Sequence, residues 1–155
     1  MGVASSAERA AHLVGAFLDP VIGELGITQG EAHVLARLAV DGKATIGALH
    51  DEFGHKRSTL TNIVDRLEGR GFVRREINRE DRRSFLIELT GSGRRAATRV
   101  TAALDRLERE LLVHVSVRDL KGFGATVLAL DGVVERSRGA AEASRAGGGS
   151  ASDRP

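Results

Sequence analysis

Hydrogen-bonding and basic side chains are concentrated between residues 56 and 66. They are Lys56, Arg57, Ser58, Thr59, Thr61, Asn62 and Arg66. Asn and Arg can make paired hydrogen bonds with base edges in the DNA major groove, and Lys and Arg also suit phosphates. The polar side of an ordinary amphipathic helix would have a similar composition. These residues therefore indicate hydrogen-bonded recognition of nucleic acid, with a solvated helix surface as the alternative.

A second polar cluster follows at residues 78–83. It contains Arg79, Asp81, Arg82 and Arg83. Residues 55–83 together hold nine Lys or Arg and five Asp or Glu, a local net charge of +4, whereas the whole chain has a formal net charge of +2. A local basic stripe is expected where a protein binds a phosphate backbone, although a solvated charged surface would show the same balance.

The first cluster lies on a predicted helix. Apolar residues recur along it at steps of three and four: Leu60, Ile63, Val64 and Leu67. The polar residues then fall on or near the opposite face. A shorter helix is expected to begin at Thr45, and a turn at residues 54–55 joins the two. Two short helices joined by a turn that contains glycine predict a helix-turn-helix.

The second cluster lies between two predicted strands. Residues 72–77 form one candidate strand, and residues 84–89 form a second, in which apolar and polar positions partly alternate. The loop between them is polar and charged throughout. Two strands joined by a charged loop directly after a helix-turn-helix predict a wing.

Further helices are predicted on both sides of this region. Residues 7–25 have a helical apolar pattern, which Pro20 is expected to kink or divide. Thr28 and Glu31 have the spacing of a capping box at the start of the next helix. A long helix is expected after Thr90, and a last helix follows it.

The expected fold class is mainly α with a small antiparallel β-wing, that is, a winged helix-turn-helix with terminal dimerisation helices. The expected parts are an N-terminal dimerisation helix, the DNA-binding domain, C-terminal dimerisation helices and a disordered tail, at residues 1–27, 28–90, 91–138 and 139–155. The apolar stripes on the first and last helices lack a cover in a monomer, so a homodimer is expected.

Composition excludes several classes of function. The chain has no Cys, Trp or Tyr, which excludes disulfides, thiolate chemistry and a platform of several aromatic side chains for stacking bases. We find no nucleophile elbow, phosphate-binding glycine loop or paired-histidine metal motif, and we expect no enzymatic activity and no cofactor. No apolar run approaches the ~20 residues of a membrane span, and no secretory signal is seen, so a cytoplasmic protein is expected.

The wing carries the most specific motif. Asp81 and Arg83 are separated by one residue, and five residues lie between Arg83 and the pair Leu89-Thr90. This spacing resembles the signature of the MarR (multiple antibiotic resistance regulator) family, as does the junction at residues 67–75. The order of elements also agrees, and the resemblance covers roughly residues 10–135.

The resemblance implies a winged-helix transcriptional regulator, more often a repressor, that binds a near-palindromic operator as a homodimer. The recognition helix of each subunit would enter the major groove, with the positions of that family matched by Ser58, Thr59, Thr61, Asn62 and Arg66. Arg83 matches the wing arginine that enters the minor groove, and Asp81 matches the residue that holds the wing.

The resemblance also implies release from DNA by a small aromatic or carboxylate effector. The elements that usually line such a site contribute Arg9, His12, His33 and Arg37 here, with ordinary exposed helix residues as the alternative. A zinc-responsive regulator is a second alternative, for which the available side chains are Glu24, His33, His50, His55 and His114. A dimeric interaction or architectural protein without sequence-specific DNA binding is the third.

Overall fold

The computed structural model of the chain describes residues 2–54 and 56–147, with side chains as far as residue 141. The helices are α1 (Val3–Leu25), α2 (Gln29–Asp41), α3 (Ile46–Phe53), α4 (Arg57–Gly69), α5 (Gly91–Leu112) and α6 (Val117–Gly147). The strands are β1 (Lys43–Ala44), β2 (Val73–Ile77) and β3 (Phe85–Leu89). The chain divides into two compact units, residues 1–109 and residues 110–155.

The helix-turn-helix is confirmed as α3 and α4. Thr45 caps α3 by accepting a hydrogen bond from the Ala48 N–H at 3.1 Å, and Gly54 ends that helix with a left-handed backbone. The apolar stripe of α4 is buried at all four positions: Leu60, Ile63, Val64 and Leu67. Burial of this stripe fixes which side of α4 faces away from the core.

The predicted wing is confirmed as the hairpin of β2 and β3. The strands pair antiparallel, from Val73 opposite Leu89 to Ile77 opposite Phe85. A third strand, β1, lies on the other side of β3, so the sheet order is β1-β3-β2. The sequence did not indicate β1, because a strand of two residues is too short to show a period.

The core includes parts of α1 and α5. Leu18 of α1 is fully buried, and so are Ala97 and Val100 of α5. The second half of α1 therefore packs on the winged helix, whereas the sequence assigned residues 1–27 to dimerisation alone. Helix α1 also continues through Pro20 rather than dividing near Asp19.

The second unit contains the long helix α6. It continues through residues 139–147, whereas composition predicts disorder from residue 139. Alanine, which has a high helix propensity, is frequent in this stretch. The glycines at its two ends have a low helix propensity and led to the prediction of disorder. Residues 148–155 of the predicted tail lie outside the described residues. None of the described helices alone has the length and hydropathy of a membrane span, and the bent pair α1–α2 reaches both only when its helices are taken together.

Candidate DNA-binding surface

The first half of α4 presents an exposed polar face. Its exposed residues include Lys56, Arg57, Ser58, Thr59, Thr61 and Asn62, all of which the sequence placed at the site. The Thr61 hydroxyl donates to the backbone oxygen of Arg57 at 2.9 Å, so its own oxygen remains available as an acceptor. This face can offer both donors and acceptors to a ligand without any movement of the core.

The wing tip is held by its own side chains. Asp81 Oδ1 accepts a hydrogen bond from the Arg83 N–H at 3.1 Å, and the Ser84 hydroxyl donates to the backbone oxygen of Asp81 at 3.0 Å. Asn78 donates to the Ser84 hydroxyl at 3.0 Å and accepts from the Glu80 N–H at 3.1 Å. These bonds order the backbone of residues 78–84 and leave the arginine side chains of the tip exposed.

Two cations of the sheet already have carboxylate partners. Arg74 bonds to Glu88, and Lys43 lies 2.7 Å from a carboxylate oxygen of Glu76 and 3.0 Å from one of Glu88. Hydrogen bonds from Lys43 and then Arg74 hold the pKa of Glu88 below its ordinary value. These pairs lie on one face of the sheet and neutralise it locally.

Arg75 connects the wing to α4. Its guanidinium bonds to both Asp65 and Glu68, which lie three residues apart on the helix. Partial burial acts to lower the pKa of Arg75, but the hydrogen bond with Asp65 and the charge of Glu68 outweigh it, so the pKa lies above its ordinary value. Because one cation spans two carboxylates, this contact fixes the wing against the helix.

Arg66 lies on α4 but bonds inward to α2. Its Nε is 2.7 Å from Glu31 Oε1, and Glu31 is only 2% exposed. Burial acts to raise the pKa of Glu31, but hydrogen bonds from Arg66 and Thr28 outweigh it and the pKa lies below its ordinary value. The predicted capping box is confirmed, since Glu31 also accepts from the Thr28 N–H at 2.7 Å.

A subset of the basic side chains has no such partner. Among the side chains that the structure describes, no carboxylate lies within ion-pair distance of five exposed cations: Lys56, Arg57, Arg79, Arg82 and Arg83. The first two flank the start of α4, and the other three lie at the wing tip. Within residues 56–83, the cations that bond to neither a carboxylate nor a backbone oxygen therefore lie on two projecting parts of the same unit.

Sequence reasoning missed the partners that connect these elements. Arg70 donates to the backbone oxygen of Leu25 at 2.9 Å and to that of Gly26, which ties the end of α4 to the end of α1. Glu31 was recognised as a cap but not as the partner of Arg66. The one signal in the sequence was the capping position of Glu31. A carboxylate at a buried helix start could have suggested a second partner, one that carries a positive charge.

The four expected effector residues occupy two different environments. Arg9 and His12 are exposed on α1. Arg37 is engaged, with its Nε 2.6 Å from a carboxylate oxygen of Asp41 and 2.6 Å from one of Glu52. The His33 ring stacks on Phe53, with centroids 6.5 Å apart. The second pair thus contributes to the contact between α2 and α3.

A cavity of about 550 Å³ opens between the wing base and the start of α3. Its lining includes Lys43, Thr45, Ile77, Asn78 and Arg79, and none of the four expected effector residues. Within the part of the chain that the structure describes, no group of three or more His, Asp or Glu could hold a metal ion. His55, one of the zinc candidates, lies outside that part.

Comparisons with known proteins agree with this geometry. The model of the MarR family matches residues 27–85. An uncharacterized HTH-type transcriptional regulator of Bacillus subtilis, YfiV, is 32% identical over 72 residues, which are 46% of this chain and 45% of the relative. The HTH-type transcriptional regulator PapX of Escherichia coli is 29% identical over 103 residues, 65% of this chain and 63% of the relative. The chain thus matches less than two thirds of the length of either relative.

Solved structures show the same fold. MepR of S. aureus in a DNA-binding conformation has a TM-score of 0.76 at 19% identity and covers 86% of this chain and 99% of its own. A S. aureus MepR–DNA complex has a TM-score of 0.72 at 20% identity, covering 86% and 98%. The reduced form of MarR from E. coli has a TM-score of 0.66 at 20% identity, covering 84% and 96%.

The segment matched by the family model contains the candidate DNA-binding surface. It begins before the Thr28 cap, contains α2, α3, α4 and the wing tip, and ends at Phe85. The signature at residues 81–90 and the helix order point the same way. In its segment 27–85 this chain is similar to the MarR family, and it shares the fold of the solved MarR and MepR structures.

Proposed function

We propose that this chain is a sequence-specific DNA-binding transcriptional regulator. The observation that carries the proposal is the division of its basic side chains. Within residues 56–83, Arg66, Arg74 and Arg75 are paired with carboxylates and Arg70 with backbone oxygens. The cations at the start of α4 and at the wing tip are exposed and have no carboxylate partner among the described side chains. Such clusters suit phosphates and base edges, which supply the missing negative charge.

The two projections suit different grooves. The first half of α4 carries short hydroxyl side chains and Asn62, which would allow the backbone to come close to base edges in the major groove. The wing carries Arg79, Arg82 and Arg83, and guanidinium groups are favoured by the negative potential of a narrow minor groove. YfiV and PapX are both named HTH-type transcriptional regulators, and MepR has been solved in complex with DNA; these relationships support the assignment.

The proposal includes a homodimer. Helix α6 exposes large apolar side chains over most of its length, among them Leu120, Phe123, Val127, Leu130 and Val134. Their steps of three and four place them on one stripe, which a second copy of the chain could cover. Two recognition helices about 34–36 Å apart would then read a near-palindromic operator, and occupancy of that site would repress transcription.

The test is selection of duplexes from a random DNA library, followed by titration of the selected duplex by fluorescence anisotropy at several salt concentrations. We expect one near-palindromic sequence to be enriched and to bind at least 10³-fold more tightly than an unrelated duplex. Enrichment of no sequence, with equal loss of binding to any competitor, would instead favour the architectural alternative.

A small effector is a separate part of the proposal, and it rests on Arg9 and His12. Both are exposed, whereas Arg37 and His33 are engaged with neighbouring side chains. Benzoate, which carries both a ring and a carboxylate, is the first probe. We expect it to weaken DNA binding by the unmodified chain and to have no effect on Arg9→Ala. If benzoate weakened DNA binding by both proteins equally, Arg9 would not be part of the effector site.

A further inference from the structure

We infer that Arg66 is a positioning residue, which orients the recognition helix through Glu31 and does not itself contact DNA. The inference rests on the proposed function and deepens it. It also changes the role that the sequence assigns to Arg66, which lies among the polar residues of α4 at residues 56–66. The recognition helix would then have a reading half at its start and an anchored half at its end.

The bond from Arg66 has a buried end. Glu31 is 2% exposed, while the Arg66 side chain is 52% exposed, so the cation reaches from the surface to a carboxylate in the interior. One oxygen of Glu31 accepts from Arg66 Nε at 2.7 Å, and the other accepts from the Thr28 N–H at 2.7 Å. Both oxygens are therefore engaged, and the carboxylate joins the start of α2 to α4.

A second contact anchors the same half of α4. Arg70, one turn beyond Arg66, donates to the backbone oxygens of Leu25 and Gly26. Both arginines thus bond to the junction between α1 and α2. The exposed residues of the reading half, such as Arg57 and Asn62, make no comparable bond to the junction of α1 and α2 within the part of the chain that the structure describes.

Glu31 makes it unfavourable for Arg66 to leave its present position. If Arg66 turned to a phosphate, Glu31 would remain a buried carboxylate without its cation. The free-energy penalty of that unpaired charge is larger than the stabilisation that an exposed ion pair with a phosphate provides. A cation at the start of α4 can bind a phosphate without this cost, because it has no carboxylate to abandon. Arg66 is therefore expected to stay on Glu31 when the helix lies on DNA.

The test is a double-mutant cycle on DNA affinity with Glu31→Gln and Arg66→Ala, using the duplex selected by the unmodified chain. A residue that acts through Glu31 gives non-additive losses. We expect each single variant to weaken binding about 3–30-fold and the double variant to bind about as weakly as Arg66→Ala alone. The dependence of log K on log salt should keep its slope, because no phosphate contact is lost.

Arg57→Ala is the matched control, since Arg57 lies on the same helix and has no carboxylate partner among the described side chains. Its loss should add to that of Glu31→Gln, and its salt slope should fall by about 0.9. Arg66→Lys should restore part of the affinity with an unchanged slope, because an ammonium can still pair with Glu31. All variants are compared at a temperature at which circular dichroism shows them folded, with Arg66→Met replacing an Arg66→Ala that does not fold.

Additive losses with a reduced slope for Arg66→Ala would overturn the inference, and so would an Arg66→Ala that binds as tightly as the unmodified chain. Either result would leave the proposed function intact, because the unmodified chain would still bind its selected duplex. Failure of the unmodified chain to prefer any duplex would overturn the proposed function and this inference with it.

Discussion

Gly93 lies directly against the backbone of Phe72, so closely that a Cβ on Gly93 would be 1.8 Å from the Phe72 carbonyl oxygen. The same oxygen accepts a hydrogen bond from the Thr90 N–H at 3.0 Å. The Thr90 hydroxyl accepts from the Gly93 N–H at 3.0 Å and donates to the Gly71 oxygen at 2.6 Å. The start of α5 is thereby joined to the turn between α4 and β2.

Gly93→Ala should destabilise the protein, because the new methyl group meets a backbone atom that cannot rotate away. We expect a loss of about 1–3 kcal/mol or more in the free energy of unfolding, measured by urea denaturation. Gly91→Ala is the matched control, since its nearest neighbour is the flexible end of Arg95 at 3.8 Å. Equal stabilities for the two variants would contradict the close approach at Gly93.

Arg83→Ala should weaken binding to the selected duplex by about 1–3 kcal/mol and leave the stability within about 0.5 kcal/mol. Arg83 is exposed at the wing tip and supports no core contact. Arg74→Ala removes the same charge from the wing, but Arg74 bonds to Glu88. We expect it to reduce DNA affinity much less. Similar losses for both variants in anisotropy titrations would show a general effect of charge.

Arg75→Ala should weaken both the fold and DNA binding. It removes the contact between the wing and α4, for which we expect about 1 kcal/mol in unfolding free energy because the partners are partly exposed. It also leaves the carboxylates of Asp65 and Glu68 without their cation on the recognition helix. Adding Asp65→Asn should recover part of the DNA affinity but not the stability. A double variant with no recovery would exclude repulsion of phosphates by Asp65.

Glu31 should make stability depend on pH in the acidic range. Its pKa is lowered in the folded state from an ordinary value of 4.5, so the unfolded chain takes up the proton first as pH falls. The stabilisation is complete above the unfolded pKa and is lost as pH falls through the folded pKa. Urea titrations at pH 6 and pH 4 should show a smaller decrease for Glu31→Gln than for the unmodified chain. An equal decrease would mean that other carboxylates account for it.

Phe123→Glu should dissociate the proposed homodimer. Phe123 is 60% exposed on the apolar stripe of α6, and its burial by a second copy would contribute about 1.5–3 kcal/mol. We expect the dimer dissociation constant in analytical ultracentrifugation to rise at least ~10-fold. Ala125→Glu, at an exposed position away from the stripe on the same helix, controls for the added negative charge. An unchanged constant for Phe123→Glu would place the dimer contact elsewhere.

Much of the fold could be predicted from local sequence. The stripe from Leu60 to Leu67 predicts α4 and its buried side, because the helical period repeats every 3.6 residues. The capping box at Thr28 and the wing hairpin rest on equally local rules and are confirmed. Two expectations that rest on weak local signals are not met: α1 is not divided at Pro20, and an alanine-rich segment continues α6 where disorder was expected.

The sequence by itself determined the helix-turn-helix, the wing and the presence of a basic segment, because period, caps and charge are properties of neighbouring residues. Only the tertiary structure decided which of those charges are neutralised. Arg66 bonds to Glu31, which lies 35 positions earlier in the chain, and Arg70 bonds to the end of α1, 45 positions away. Partners at such separations are brought together by the packing of helices, which no local pattern records.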